Sequence, residues 1–172
     1  MNRSEHLNRK KPKLEREEPF SRDELLDKLQ HYCAYQDRCI FEVREKLSKL
    51  EADEEDSLFV IHSLKTGRFW DERRFAMNFV YSKWTMKKWG RLKIRKHLRA
   101  KKVAYHLWEE AFNQIDLDEY LETMAELGQR KWDLLTSGNE FARKKKVHDF
   151  LIGRGFEKSF VMEFIFKLSL GE

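Results

Sequence analysis

Three observations predict an all-α fold for this chain of 172 residues. Proline is confined to Pro12 and Pro19, so nothing from Phe20 onward breaks a helix from within. Apolar residues recur at three- and four-residue steps, whereas period-2 alternation is sustained nowhere. Glycines (Gly67, Gly90, Gly128, Gly138, Gly153, Gly155) sit between the apolar series, where helix ends are expected.

The segments follow in order. Residues 1–19 are highly charged, aperiodic and without an apolar run, and predict a flexible charged tail rather than a secretory signal. Leu25, Leu26, Leu29, Tyr32 and Cys33 predict a first helix, and Val43, Leu47 and Leu50 a second. Val60, Ile61 and Leu64 give a third, and Phe75, Phe79 and Val80 begin another. Val161, Phe164, Ile165 and Leu168 close the chain in the same manner.

A repeat underlies this pattern. The pairs Val43/Leu47, Ile94/Leu98 and Val147/Leu151 lie 51 and then 53 residues apart, each preceded by Glu or Lys. Each is followed by the core of a further apolar helix, at Ile61, Ala111 and Ile165. The expected architecture is three tandem three-helix repeats over 20–70, 71–113 and 114–172, forming an elongated, curved molecule with a continuous core.

Several function classes find no support. No run of apolar residues is long enough to span a bilayer. Two cysteines, Cys33 and Cys39, are expected as reduced thiols of a cytoplasmic protein. Gly153-x-Gly155 lacks the third glycine and preceding strand of a phosphate loop, and the acidic run Glu51 to Asp56 lacks the glycine and final Glu of a calcium loop. The six histidines are scattered, and no nucleophile elbow or activated thiol is present. Neither catalysis nor a cofactor or metal is expected.

Charge is the most informative property. The net charge is +5, but residues 71–113 carry twelve basic and four acidic side chains. From Arg73 through Lys102 there is no Asp or Glu at all. On a helix Lys88, Arg91, Arg95, Arg99 and Lys102 fall at three- and four-residue steps, forming one stripe, while Ile94 and Leu98 point to the core. Like charges so spaced repel by roughly a few tenths of a kcal/mol per pair, which points to a partner that offsets the repulsion. A phosphate backbone comes first and an acidic protein surface next, against the plainer alternative of a solvated face. Arg73, Arg74, Lys87, Lys88, Arg91, Lys93, Arg95, Lys96, Arg99 and Lys102 are the candidate binding residues. Trp84 and Trp89 lie within the patch, either as core rings, the commoner use, or as platforms for unpaired bases.

The segment from Gly67 to Ala76 (Gly-Arg-Phe-Trp-Asp-Glu-Arg-Arg-Phe-Ala) resembles the central signature of the RecX family, bacterial regulators of the RecA recombinase. The basic helix opening Gly90-Arg91-x-x-Ile94 and the later Lys144-Lys145-Lys146 with Arg154-Gly155-Phe156 are similar to family motifs in the same order. Two positions depart from the pattern. Cys39 stands where the family usually has Ser as an N-cap, and Glu72 replaces the commoner Asp. The resemblance implies a crescent of three units lying in the groove of the RecA–single-stranded-DNA filament, without a cofactor, and generally inhibiting RecA's ATPase, strand exchange and coprotease activities. It also implies that Asp71 and Glu72 cap the helix they begin, that Arg73 and Arg74 lie on the surface, and that Phe75 and Phe79 belong to the core.

Two readings follow. One is a monomeric regulator that binds the RecA filament, and single-stranded DNA directly or through RecA. The alternative is a stand-alone nucleic-acid-binding helical module.

Overall fold

The computed structural model describes residues 18–170, and the tail expected over 1–19 lies outside them except for its last two positions. Among the described residues there are nine helices and no strand. They are α1 (Arg22–Tyr35), α2 (Ile40–Lys49), α3 (Glu54–Thr66), α4 (Glu72–Thr85), α5 (Arg91–Ala100), α6 (Tyr105–Phe112), α7 (Leu117–Asp133), α8 (Glu140–Arg154) and α9 (Lys158–Leu170). They group as α1–α3, α4–α6 and α7–α9, the predicted repeat of three-helix units.

Local chemistry starts most helices. Ser21 and Glu24 form a reciprocal capping box on α1. Asp53, Asp71, Asp116 and Asn139 accept backbone N–H groups in the first turns of α3, α4, α7 and α8. At α2 the N-cap is Cys39, whose thiol and backbone N–H both donate to the Glu42 carboxylate, at 3.4 and 3.1 Å. The helix start implied by the resemblance therefore stands, with sulfur in place of a hydroxyl.

The repeat is most exact where the second helix of each unit ends. The N–H groups of Ala52, Val103 and Phe156 donate to the carbonyls of Leu47, Leu98 and Leu151, each at 3.2 Å. One residue earlier, Glu51, Lys102 and Gly155 donate to Ser48, Arg99 and Ile152. This is the Schellman motif three times over, and it requires a left-handed residue at the turn. The φ angles are 60° at Glu51, 56° at Lys102 and 92° at Gly155.

Leu25, Leu29, Cys33, Val43, Leu47, Val60 and Leu64 form the core of unit 1. Units 2 and 3 share a second core, which runs from Phe75 and Val80 through Ile94 and Leu98 to Tyr120, Phe156 and Val161. Cys39 is counted in this second core, so unit 1 reaches its neighbour through the α1–α2 connection. In the third helices Ala111 is fully buried as expected, but Val60 and Val161 take the central places, and Ile61 and Ile165 pack at the rim. Gly128 is not a helix end either: it lies inside α7, where a Cβ would come within 2.3 Å of the Phe164 ring. There glycine serves close packing, not termination.

Candidate functional site

The basic helix α5 is positioned by unit 3. Gly90, its N-cap, donates its N–H to the Arg154 carbonyl at 2.9 Å, and Leu92 donates to Gly155 at 3.0 Å. The Arg91 N–H donates to the Tyr120 hydroxyl at 3.0 Å, and that hydroxyl donates to Glu157 at 2.6 Å. Tyr120 is fully buried, and burial with the Glu157 bond pushes its phenol well above the ordinary range. The carbonyl end of α8 thus meets the amide end of α5, a favourable alignment of helix termini.

With Ile94 and Leu98 buried beneath, the cations leave α5 on two flanks. On one, the guanidinium groups of Arg91, Arg95 and Arg99 lie 4.4, 5.2 and 6.0 Å from the rings of Tyr120, Phe112 and Trp108. On the other, Trp89 stacks on His97 at 4.7 Å, with the Lys93 and Lys83 ammonium groups 4.8 and 5.6 Å from its ring. Burial and the surrounding Lys93, Lys83, Lys96 and Lys101 hold the His97 imidazole below its ordinary pKa. Lys96 and Arg99 are exposed on the outer surface.

The structure divides the ten candidate residues. Arg91, Lys93, Arg95, Lys96 and Arg99 lie together on α5. Lys88 and Lys102 do not extend a helical stripe: both are left-handed residues flanking the helix, with φ of 49° and 56°. Lys87 precedes Lys88 in the same connection. None of these eight pairs with a carboxylate among the described residues.

Arg73 and Arg74 are different. Arg73 grips Glu110 with two Nε bonds at 2.8 and 2.9 Å and a further Nη2 bond. Arg74 pairs with Asp37 at 2.7 Å and donates to the carbonyls of Arg68 and Phe69 beyond the end of α3. Glu72 also reaches outside its own helix: while Asp71 caps α4, Glu72 accepts the Ile40 N–H at 2.8 Å and so caps α2. Burial raises the Glu72 carboxyl pKa. Phe75 is buried and Phe79 packs beside it, with ring centroids 5.6 Å apart.

Of the two tryptophans, Trp84 is a core ring 5.2 Å from Tyr120, and Trp89 is half-buried within the cations. Sequence reasoning passed over Lys83, His97, Lys101 and Arg154 as members of this surface. Lys101 is pinned to Glu42 of unit 1 at 2.7 Å, and Arg154 of unit 3 reaches the Lys87 carbonyl at 2.8 Å. Their partners lie 59 and 67 residues away in sequence, and no spacing rule exposes such pairs. Among the described residues no helix is long and apolar enough to cross a membrane, and no group of three or more His, Cys, Asp or Glu is placed to hold a metal ion.

Three-helix units joined cap to cap, with a carboxylate-free cationic helix in the middle unit, define a tandem-repeat helical protein with one polybasic face. The family descriptions "RecX, second three-helix domain" and "RecX, third three-helix domain" match residues 71–111 and 118–165. The regulatory protein RecX of Chlorobaculum tepidum is 33% identical over 131 residues, covering 76% of this chain and 79% of that protein. That of Salmonella arizonae is 31% identical over 143 residues, covering 77% and 84%. That of Halalkalibacterium halodurans is 27% identical over 133 residues, covering 77% of this chain and half of that longer protein. A crystal structure of RecX from Lactobacillus salivarius superimposes with a TM-score of 0.77 at 19% identity, covering 87% of this chain and 97% of that one, a likeness of fold. The chain belongs to the RecX family of regulatory proteins.

Proposed function

We propose that this RecX-family chain regulates the RecA recombinase by docking the basic face of unit 2 on the RecA–single-stranded-DNA filament, lowering RecA's ATPase, strand-exchange and coprotease activities. It does so as a cytoplasmic monomer and without a cofactor. The relatives' name, regulatory protein RecX, supports a regulatory role.

The observation that carries the reading is the contrast among the ten candidates. Arg73 and Arg74 are neutralised by Glu110 and Asp37 and act as clips within the molecule. The other eight candidates, between Lys87 and Lys102, have no carboxylate partner among the described residues, although α5 is held firmly by Tyr120 and by α8. A rigid cluster of like charge is relieved by an external polyanion, and a filament displaying phosphates is one of matching chemistry.

The test is RecA ATPase on single-stranded DNA, titrated with the wild type and with the combined variant Lys96→Glu, Arg99→Glu, Lys102→Glu. These three are exposed, whereas Arg91 is half-buried against Tyr120 and its replacement would disturb the fold. Wild type is expected to depress the ATPase at concentrations comparable to RecA, and the variant to need at least about ten-fold more. Wild type that leaves the ATPase untouched at that level overturns the reading.

The competing reading, a stand-alone nucleic-acid-binding module, is favoured by the half-buried Trp89 among its cations. It requires tight binding to bare single-stranded DNA, with a log–log salt slope of about −0.7 per neutralised phosphate, and no effect specific to the filament.

A further inference from the structure

The cationic surface does not stop at the end of unit 2. Between the α4–α5 connection and the last turn of α8 lies a groove lined by Lys87, Trp89, Lys93, Asp149, Phe150 and Arg154. Its three cations come from two different units. Their side-chain polar contacts are to main-chain carbonyls: Arg154 Nη1 to Lys87 at 2.8 Å and Lys93 Nζ to Gly153 at 3.3 Å. A carbonyl orients a cation without cancelling its charge, so these groups are aimed but not neutralised.

The one acid of the groove is already committed. Asp149 is bonded to Lys145 at 2.9 Å and to His148 at 3.0 Å, and those bonds hold its carboxyl below the ordinary range. Beneath the cations the backbones of Gly90 and Gly155 meet too closely for a side chain to intervene. The walls are aromatic, with the Arg154 guanidinium 5.2 Å from the centre of the Phe150 ring and the Lys93 ammonium 4.8 Å from that of Trp89. Lys93 also begins the three-residue steps Lys93, Lys96 and Arg99, so the groove opens along the exposed side of α5.

We propose that this groove holds one phosphodiester of a single-stranded nucleic acid, with Lys87, Lys93 and Arg154 as its cations. The proposal rests on the docking reading given above and deepens it, because it assigns this part of the surface to nucleic acid and extends it into unit 3. The extent of the surface favours a phosphate backbone over a protein carboxylate. One phosphodiester carries the same single charge as one carboxylate, but the cations continue from the groove into the exposed Lys96 and Arg99, which suits a backbone with charge at regular intervals.

The experiment measures binding of a labelled oligothymidylate, without RecA, as a function of salt. Wild type is compared with Lys87→Gln, Arg154→Gln and, as an equal charge change on unit 1, Lys49→Gln. Lys87 makes no side-chain hydrogen bond or ion pair among the described residues, so its variant leaves the fold intact even if loss of the Arg154 bond does not. Each groove variant is expected to reduce the magnitude of the log–log slope by about 0.7 and to weaken binding of the oligothymidylate. Lys49→Gln should leave the slope unchanged. Slopes unaltered by Lys87→Gln, or altered as much by Lys49→Gln, overturn the site. If both groove variants weaken inhibition of RecA while oligothymidylate binding is unaltered, the groove takes a protein carboxylate and the phosphate assignment falls. The docking reading is judged separately, on the ATPase titration with the Lys96, Arg99 and Lys102 reversals.

Discussion

Gly90 and Gly155 meet backbone to backbone, one opening α5 and the other closing α8. A Cβ on Gly90 would lie 2.2 Å from the Gly155 carbonyl oxygen, and a Cβ on Gly155 would lie 2.3 Å from the Cβ of Lys93. Gly155 is also left-handed, with φ of 92°. Two glycines 65 residues apart thus set the angle at which the basic helix leaves unit 3.

Alanine at either position is expected to destabilise the chain by about 2–4 kcal/mol, through overpacking at both and backbone strain at Gly155. Gly153→Ala is the internal contrast. That residue lies within α8 and a Cβ there meets nothing within 4 Å, so alanine should stabilise by about 0.5–1 kcal/mol. Denaturant titration of the three variants checks both signs.

Glu51 and Lys102 occupy the left-handed turn position that Gly155 fills in unit 3. Glycine is the residue this conformation favours, so Glu51→Gly should stabilise by roughly 1 kcal/mol. Lys102→Gly should gain less, because Lys102 also lies 4.8 Å from the Phe41 ring, and under the docking proposed above it should inhibit RecA more weakly. A thermal melt and an ATPase titration on the same preparations separate the two effects.

Cys33 and Cys39 are buried and free, and burial pushes both thiols up to about 11. At pH 8 each thiol is then ionised in about one molecule in a thousand, and the sulfurs are shielded as well. A thiol reagent is expected to label neither residue in the folded chain and both after denaturation. Rapid labelling under native conditions would contradict the burial of the α1–α2 connection.

The junction between units 1 and 2 has opposing pH dependences built into it. Burial alone would raise Asp37 and Glu42. Hydrogen bonds from Asn78 and Arg74 to Asp37, and from Lys101 and the Cys39 N–H to Glu42, outweigh it and hold both below their ordinary values of 3.8 and 4.5. Their stabilising contribution is present above those values and is lost as pH falls through the lowered ones. Glu72 is raised by burial, so its contribution is present below 4.5 and is lost as pH rises through its raised value. Glu72→Gln should therefore be more stable than wild type at pH 7 and lose more stability on acidification to pH 3. Hydrogen exchange of unit 1 at both pH values measures the difference.

The repeat and its core faces were legible in the sequence, because Val43, Ile94 and Val147 each open a four-residue step that is buried in all three units. The basic character of α5 was legible for the same reason, with Ile94 and Leu98 fixing its inner side. The extent of the helix was not. Nothing in a lysine announces a left-handed turn, so Lys88 and Lys102 read as helical, although the first lies in the α4–α5 connection and the second in the Schellman turn that ends α5. The partners of Arg73, Arg74 and Glu72 were hidden because Glu110, Asp37 and Ile40 lie more than 30 residues away, and only packing brings them close. Gly128 read as a terminator because its contact with Phe164 joins two helices of unit 3 that sequence alone does not place together.

The caps between units give the array a direction. Amide groups opening α2 are satisfied by Glu72 of unit 2, and those opening α5 by Tyr120, Arg154 and Gly155 of unit 3. Each of these units also supplies caps of its own, such as Glu42 for the Cys39 N–H at α2 and Asn139 for the first turn of α8. On the ribosome these units emerge in the opposite order to their dependence. The N–H of Ile40 is made before the Glu72 carboxylate that accepts it, and those of Gly90 and Leu92 before the Arg154 and Gly155 carbonyls that accept them.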